Sequence, residues 1–286
     1  MELSSFLIQL LNGVQYGLLL FLIASGLTLV FGIMGIINLA HGVMYMIGAY
    51  LAFSLTAQTG SLTLAIALGI PIMLAIGIII ERYFINVLYR RNHLDQVLLT
   101  YGFILVFNEL QKILWGSEVH AVPVPEMFNY SIALTENLSY PIYRLVVSGV
   151  CLALAISLYF LIQKTKLGMT IRAGASNREM VEALGINIRA LYTLIFAGGV
   201  ALAAFAGMLA APITSVYPGM GDAVLIVCFV VVVIGGIGSI KGAFFGAMLI
   251  GLADTFGAVL LPQLSSLIVY ALMALVLLWR PRGLFA

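Results

Sequence analysis

The chain has 286 residues, of which 63% are hydrophobic and 8% charged, and its formal net charge is +2. So little polar surface cannot solvate a soluble particle of this length, which excludes a soluble globular domain and makes lipid part of the solvent. The small charge gives no sign of a nucleic-acid partner, and it makes the placement of Lys and Arg more informative than their sum.

Apolar runs near the ~20 residues needed to cross a bilayer recur at roughly 5–31, 41–59, 61–81, 97–115, 141–163, 191–212, 222–239, 242–261 and 265–280. The expected fold class is all-α: a polytopic transmembrane helical bundle of about eight or nine spans forming one domain over 1–286. The first run begins with Glu2, lacks a basic n-region and outlasts a secretory h-region, so it reads as a retained helix. Its join to the second run, near 32–41, is Gly-rich and reads either as a loop or as a broken helix. Asn38 and His41 follow Gly32 and Gly35, whose missing side chains permit unwound backbone or close helix approach. If that stretch is helical, Asn38 and His41 share a face and can hydrogen-bond a solute or a neighbouring helix. No second His or carboxylate stands at ligand spacing, so no metal site is expected.

Arg82, Arg90 and Arg91 follow the third run, and Asn108, Glu109, Gln111 and Lys112 interrupt the fourth. Charges in a span must face protein or water; Glu109 and Lys112, three apart, suit either a local ion pair or the outer mouth of a pathway. The segment at about 116–140 holds Glu118, Glu126 and Glu136 without Lys or Arg, while Pro123, Pro125 and Pro141 favour turns over a packed domain. Its Asn-x-Ser matches at Asn129 and Asn137 carry no weight outside a secretory pathway.

The longest soluble stretch, about 164–190, carries Lys164, Lys166, Arg172, Arg178 and Arg189, and the tail carries Arg280 and Arg282. Because Lys and Arg collect on the cytoplasmic side, these segments and 82–96 are expected inside, with 116–140 and the N-terminus outside. Within the basic stretch, Ser176 can cap a helix while Glu179 reaches back to complete a capping box. Asn177 and the helix formers through Ala183 follow. Met180, Val181 and Leu184 form an apolar stripe, Arg178, Glu179 and Glu182 give polar faces, and Gly185 suits a left-handed C-cap. A helix this short is marginal in water, which points to docking in a partner's groove. Lying against headgroups is the competing reading, and the lack of an aromatic anchor counts against it.

Cys151 and Cys228 lie in apolar runs and read as small buried hydrophobes. Asp222, after Tyr217-Pro218-Gly219-Met220-Gly221, belongs to an expected outer turn, and Asp254 is a lone charge in a span with either a packing or a pathway role. Gly13 with Gly17, and Gly242 with Gly246, are seams that let helices approach closely, within the subunit or across a dimer. A faint internal echo pairs 35–42 with 235–242, both Gly-rich and both leading into an apolar run. From Gly235 to Lys241 the phosphate-loop pattern fails, since Ile240 takes the second glycine's place and Gly242 replaces Ser or Thr. Paired catalytic carboxylates, zinc-ligand spacing and a nucleophile beside a base are likewise missing, so an enzyme is not expected.

The run Leu167-Gly168-Met169-Thr170-Ile171-Arg172-Ala173, followed by Asn177 and Glu182-Ala183-Leu184-Gly185-Ile186, resembles the permeases of branched-chain amino-acid ABC importers. Gly26-Leu27-Thr28-Leu29-Val30-Phe31-Gly32 and Asn38-Leu39-Ala40-His41-Gly42 resemble that family's N-terminal region, so the likeness covers nearly the whole chain. The compact length is similar to the shorter, H-type subunit. The resemblance implies a transport subunit of the bacterial inner membrane for branched-chain or other hydrophobic amino acids, with no cofactor of its own. It implies a longer M-type permease sharing the translocation path, two cytoplasmic ATPases that bind ATP and magnesium, and an extracytoplasmic solute-binding protein. In that frame Ser176 to Gly185 couple to the ATPases. Gly35, Asn38, His41, Asn108, Glu109 and Asp254 are path candidates, and Glu118, Glu126 and Asp222 are candidates for touching the binding protein. The alternative is an autonomous carrier or channel for small polar solutes such as urea or amides, with only Glu109, Asp254 and His41 in the spans to couple ions.

Overall fold

The computed structural model describes residues 3–89, 91–135 and 138–285, so Glu2, Arg90, Glu136 and Asn137 lie outside the described residues. In chain order the helices are α1 (Leu3–Leu29), α2 (His41–Thr59), α3 (Leu62–Ile80), α4 (Asn86–Leu88) and α5 (His93–Trp115). They continue with α6 (Ile142–Lys164), α7 (Lys166–Ser176), α8 (Arg178–Ala183), α9 (Ile188–Thr214), α10 (Met220–Gly235), α11 (Ile240–Leu260) and α12 (Ser265–Trp279). A π turn over Val30–Met34 prolongs α1, and another over Glu81–Ile85 joins α3 to α4.

Among the described residues six helical stretches are long and apolar enough to cross a membrane: Ser5–Met34, Leu62–Leu88, His93–Trp115, Ile142–Lys164, Ile188–Thr214 and Ile240–Leu260. α10 and α12 are shorter apolar helices. Each of the nine expected runs has a helix, but α2, α10 and α12 do not meet the length and composition of a full span. Between β1 (Ser131–Thr135) and β2 (Leu138–Pro141) a small antiparallel hairpin forms, an exception to the all-α expectation. Ser131-Ile132 and Ser139-Tyr140 supply the alternating β-prone residues there, which the prolines on either side had marked only as turn.

α1 and α9 are the interior of the bundle, with 83% and 72% of their spans buried, against 17% for α5 and 22% for α6. Lipid is as apolar as Leu, so no hydrophobic force draws the spans together, and close backbone approach takes its place. Gly13 and Gly17 on α1 lie against Gly251, Leu252, Ala247 and Met248 on α11, and Phe21 meets Phe244 edge to face, so the two helices run antiparallel. α9 packs antiparallel on α3 in the same manner, through Ala197 at Gly77 and Met208 at Gly69. The Gly242 and Gly246 seam closes on Gly235 and Val231 of α10, inside this subunit.

The bundle thus repeats one arrangement. A long helix is interrupted, a helix starts inside the bundle, a hairpin follows, and the third helix packs on the first helix of the other set. The starts of α2 and α10 touch at Gly42 and Gly221, each the second residue of its helix and each against the other's carbonyl. The counterpart of 35–42 is therefore 215–221. The segment 236–239, which the sequence echo selects, is a tight turn that folds Gly242 back onto Gly235.

The three basic segments gather at one end. Arg178 lies over Tyr89, while Arg172, Ser239, Lys241 and Phe285 line one cavity. The acidic segment after α5 is at that helix's other end.

Candidate functional site

The interruption after α1 opens at Gly35, whose φ of 66° lies in the left-handed region and whose N–H bonds to the Phe31 carbonyl at 3.0 Å. Residues 35–38 are non-helical, so Asn38 and His41 do not share a helical face. Both are buried instead, at 1% and 0% exposure. The Asn38 Oδ1 accepts from the Ala40 N–H at 3.1 Å, satisfying a backbone donor just ahead of α2. His41 Nε2 is 2.9 Å from the Ile23 carbonyl, which can only accept, so this nitrogen carries the proton and donates. Asn38 Nδ2 and His41 Nδ1 are buried without a partner among the described residues. Thr100 Oγ1 of α5 lies 3.4 Å from the Ile37 carbonyl and donates to the nearer Gln96 carbonyl at 2.9 Å. Irregular backbone at this depth is tolerated only where protein or a water-filled cavity covers it, and here the covering residues are α1, α5, α9 and α10.

The second interruption runs from Ser215, with φ 61° and ψ 170°, to Gly219, with φ 78°. Val216 exchanges two 2.8 Å backbone hydrogen bonds with His120, whose ring stacks on Phe53 at 4.3 Å. Asp222 is in the first turn of α10 rather than in an exposed outer turn, where the positive helix end favours a carboxylate. Asn108 Nδ2 donates to its Oδ2 at 3.3 Å, so two residues far apart in sequence meet beside the Gly42–Gly221 contact.

The other candidates stay apart. Glu109 and Lys112 pair at 3.3 Å with side chains 66% and 51% exposed, in the last two turns of α5 and not at the bilayer centre. Gln111 between them turns inward to Tyr50 Oη at 2.9 Å and the Gly116 carbonyl at 2.8 Å, fastening α5 to α2. Asp254 is half-buried on α11, three residues past Gly251. Glu118 and Glu126 are exposed on the acidic end. Gly35 has open space around its Cα.

At the basic end the sequence pattern is corrected in two ways. Ser176 is the last residue of α7, and Asn177 is the N-cap of α8, extended at φ −154° with its Oδ1 accepting from Met180 N–H at 3.0 Å. That frame moves the capping-box position from Glu179 to Met180, so no reciprocal box forms. The C-terminus is as expected, since Gly185 has φ 81°. Its N–H reaches the Glu182 carbonyl at 3.0 Å and that of Ile186 reaches Val181 at 3.3 Å, the paired bonds of a Schellman motif. The apolar stripe divides: Val181 is 3% exposed and faces the bundle, while Met180 and Leu184 are 58% and 72% exposed.

Two elements went unseen in the sequence. α7 is capped by Thr165 on the Gly168 N–H at 3.1 Å and turns Ile171 inward. Glu81 is 1% exposed, accepts from Tyr89 Oη and from Thr193 Oγ1, and stands beneath Arg178. Burial pushes the Tyr89 hydroxyl well above the usual phenol range, and its bond to Glu81 adds to the shift.

Among the described residues no group of three His, Cys, Asp or Glu could hold a metal. Long apolar helices around two interrupted ones, with most charges toward the helix ends and Asp254 alone within α11, define a polytopic membrane protein. A family model described as branched-chain amino acid transport system / permease component matches residues 9–277. The high-affinity branched-chain amino acid transport system permease protein BraD of Pseudomonas aeruginosa is 34% identical over 99% of this chain and 96% of its own length. LivH of Escherichia coli K12, with the same description, is 34% identical over 98% and 95%. A probable branched-chain amino acid transport permease protein of Methanocaldococcus jannaschii is 28% identical over 85% and 78%. No solved structure gives a significant match. The chain belongs to the family of branched-chain amino acid transport system permease components. These relatives are named as components of transport systems, which leaves the autonomous-carrier reading without support.

Proposed function

We propose that this chain is the shorter permease of an ATP-driven importer for branched-chain or similar hydrophobic amino acids in a bacterial inner membrane. It pairs with a longer M-type permease, two ATPases that bind ATP and magnesium in the cytoplasm, and an extracytoplasmic solute-binding protein. The N-terminus is outside and the C-terminus inside, supported by the gathering of basic segments at one end. Of the eight or nine crossings expected, nine, with α2 and α10 starting inside the bilayer, agrees with termini on opposite faces, which require an odd number.

The observation that carries this reading is α8. It is capped at both ends, anchored by Val181, and presents Met180 and Leu184 beside Glu179 and Glu182 outward at the basic end. Exposed apolar side chains on a rigid short helix suit a groove in another protein. The solute path follows the interruptions, where Asn38 and His41 keep unpartnered polar atoms and Asn108 meets Asp222. On this reading Asp222, expected at the binding-protein surface, belongs to the path, supported by its contact with Asn108, and Glu118 and Glu126 remain for the binding protein.

Glu182→Arg with Leu184→Asp places a wrong charge and a desolvated carboxylate against the ATPase groove. The expected outcome is loss of ATPase from the purified complex while the chain remains in membranes at near-normal amount. Full recruitment and uptake by the double variant would return α8 to the lipid surface.

A further inference from the structure

Six side chains from three stretches distant in sequence meet at the inner side of α8. The Tyr89 and Tyr192 rings meet edge to face, centroids 5.1 Å apart at 73°. The Arg178 guanidinium lies 5.6 Å from the first centroid and 5.2 Å from the second, and its Nε is 3.6 Å from Glu182. Below the rings, buried Glu81 accepts from Tyr89 and, at 2.5 Å, from Thr193, so α9 and the end of α3 share one carboxylate. Tyr192 Oη then donates to the Ile33 carbonyl at 3.4 Å, in the π turn immediately before Gly35.

These contacts form a continuous path from the exposed helix to the first interruption. A planar guanidinium can stack on aromatic faces while its edge bonds a carboxylate, which an ammonium cannot do with the same geometry. A carboxylate as buried as Glu81 is retained only with its hydrogen bonds made, so it holds both of its donors in place. Arg178 lies over the two rings with its side chain 35% exposed, on another side of α8 from the exposed Met180 and Leu184.

We infer that Arg178 is a positioning residue for transport: it locks α8 onto the Tyr89–Tyr192 pair and, through the Tyr192 hydroxyl and Ile33, sets the interrupted end of α1. Displacement of α8 by the ATPases then reaches the backbone beside Asn38 without passing through the lipid-facing helices. The inference rests on α8 being the ATPase-docking helix.

The test uses the assembled importer in vesicles with its binding protein and reads leucine uptake per ATPase recruited. Arg178→Ala lowers that ratio, roughly tenfold, the usual scale of a coupling between two sites, and Arg178→Lys restores only part of it. Tyr192→Phe keeps the ring and removes only the hydroxyl, so it folds normally and lowers the same ratio several-fold, on the order of one lost hydrogen bond. A wild-type ratio in Tyr192→Phe and Arg178→Ala overturns the proposal, as does a fall in uptake that only tracks a fall in recruitment. Leu184→Asp serves as the control arm. If it keeps its ATPases, the docking role of α8 has failed; if it loses them while the Arg178 and Tyr192 variants keep a normal ratio, the link alone has failed.

Discussion

The segment before α2 opens on Gly35 and the one before α10 opens on Ser215, both with positive φ, at 66° and 61°. They are held from different ends. The first is reached from the basic end through Tyr192 and Ile33, and its polar side chains, Asn38 and His41, are buried. The second is pinned from the acidic end by His120 on Val216, and its polar residue, Asp222, is half-buried against Asn108. Positive φ at both openings with opposite support ties each interruption to a different face of the bundle.

The largest effect that bears on this contrast is all or none. A cysteine at Asn177 is expected to react with a membrane-impermeant thiol reagent only from the cytoplasm, and one at Glu126 only from outside. The native Cys151 and Cys228 are buried and stay silent. Labelling of both engineered sites from one face would remove the opposite-ends comparison altogether. A smaller effect separates the two interruptions chemically. Asn38→Leu removes the cap on the Ala40 N–H, a loss of about 1 kcal/mol or roughly fivefold in uptake, with assembly intact. Unchanged uptake would confine Asn38 to packing, and failed assembly would make it a clamp between helices.

The smallest concerns Ser215. At φ 61° and ψ 170° it occupies a region that is essentially reserved for glycine, at a cost on the order of 1–3 kcal/mol. Ser215→Gly is expected to raise the thermal midpoint of the detergent-solubilised protein by a few degrees, after part of the gain is offset by glycine's unfolded-state entropy. A lowered midpoint would mean the strain is not where the backbone angles place it.

Much of the bundle was legible because bilayer-length apolar runs are a strong signal, and every expected run holds a helix. The glycines at 32 and 35 marked where the first helix ends, while the sequence left a loop and a broken helix both open. The counterpart at 215–219 was not legible, because Ser215 is no glycine and because the echo at 235–242 matched composition instead of geometry. The cap of α8 slipped by one residue for a similar reason: Ser176 and Asn177 are both good N-caps, and only the extended backbone at Asn177 decides. α7 was hidden by Gly168 and Gly174, which weaken helix propensity but here allow Gly168 to sit under the carbonyls of Leu161 and Ile162. Glu81 was missed because an acid next to Arg82 at the end of an apolar run reads as a boundary. Its partners, Tyr89 and Thr193, are brought to it only by tertiary packing.

The contact between Gly42 and Gly221 has a consequence for how such a chain can change over time. Each position meets the other's main chain where a side chain would begin, so a methyl group at either one displaces the opposite helix. Neither half of the protein is free to drift alone at this point. A substitution in the first half must wait for a backbone retreat in the second, so the two halves, whatever their origin, are bound to a shared mutational history at their meeting place.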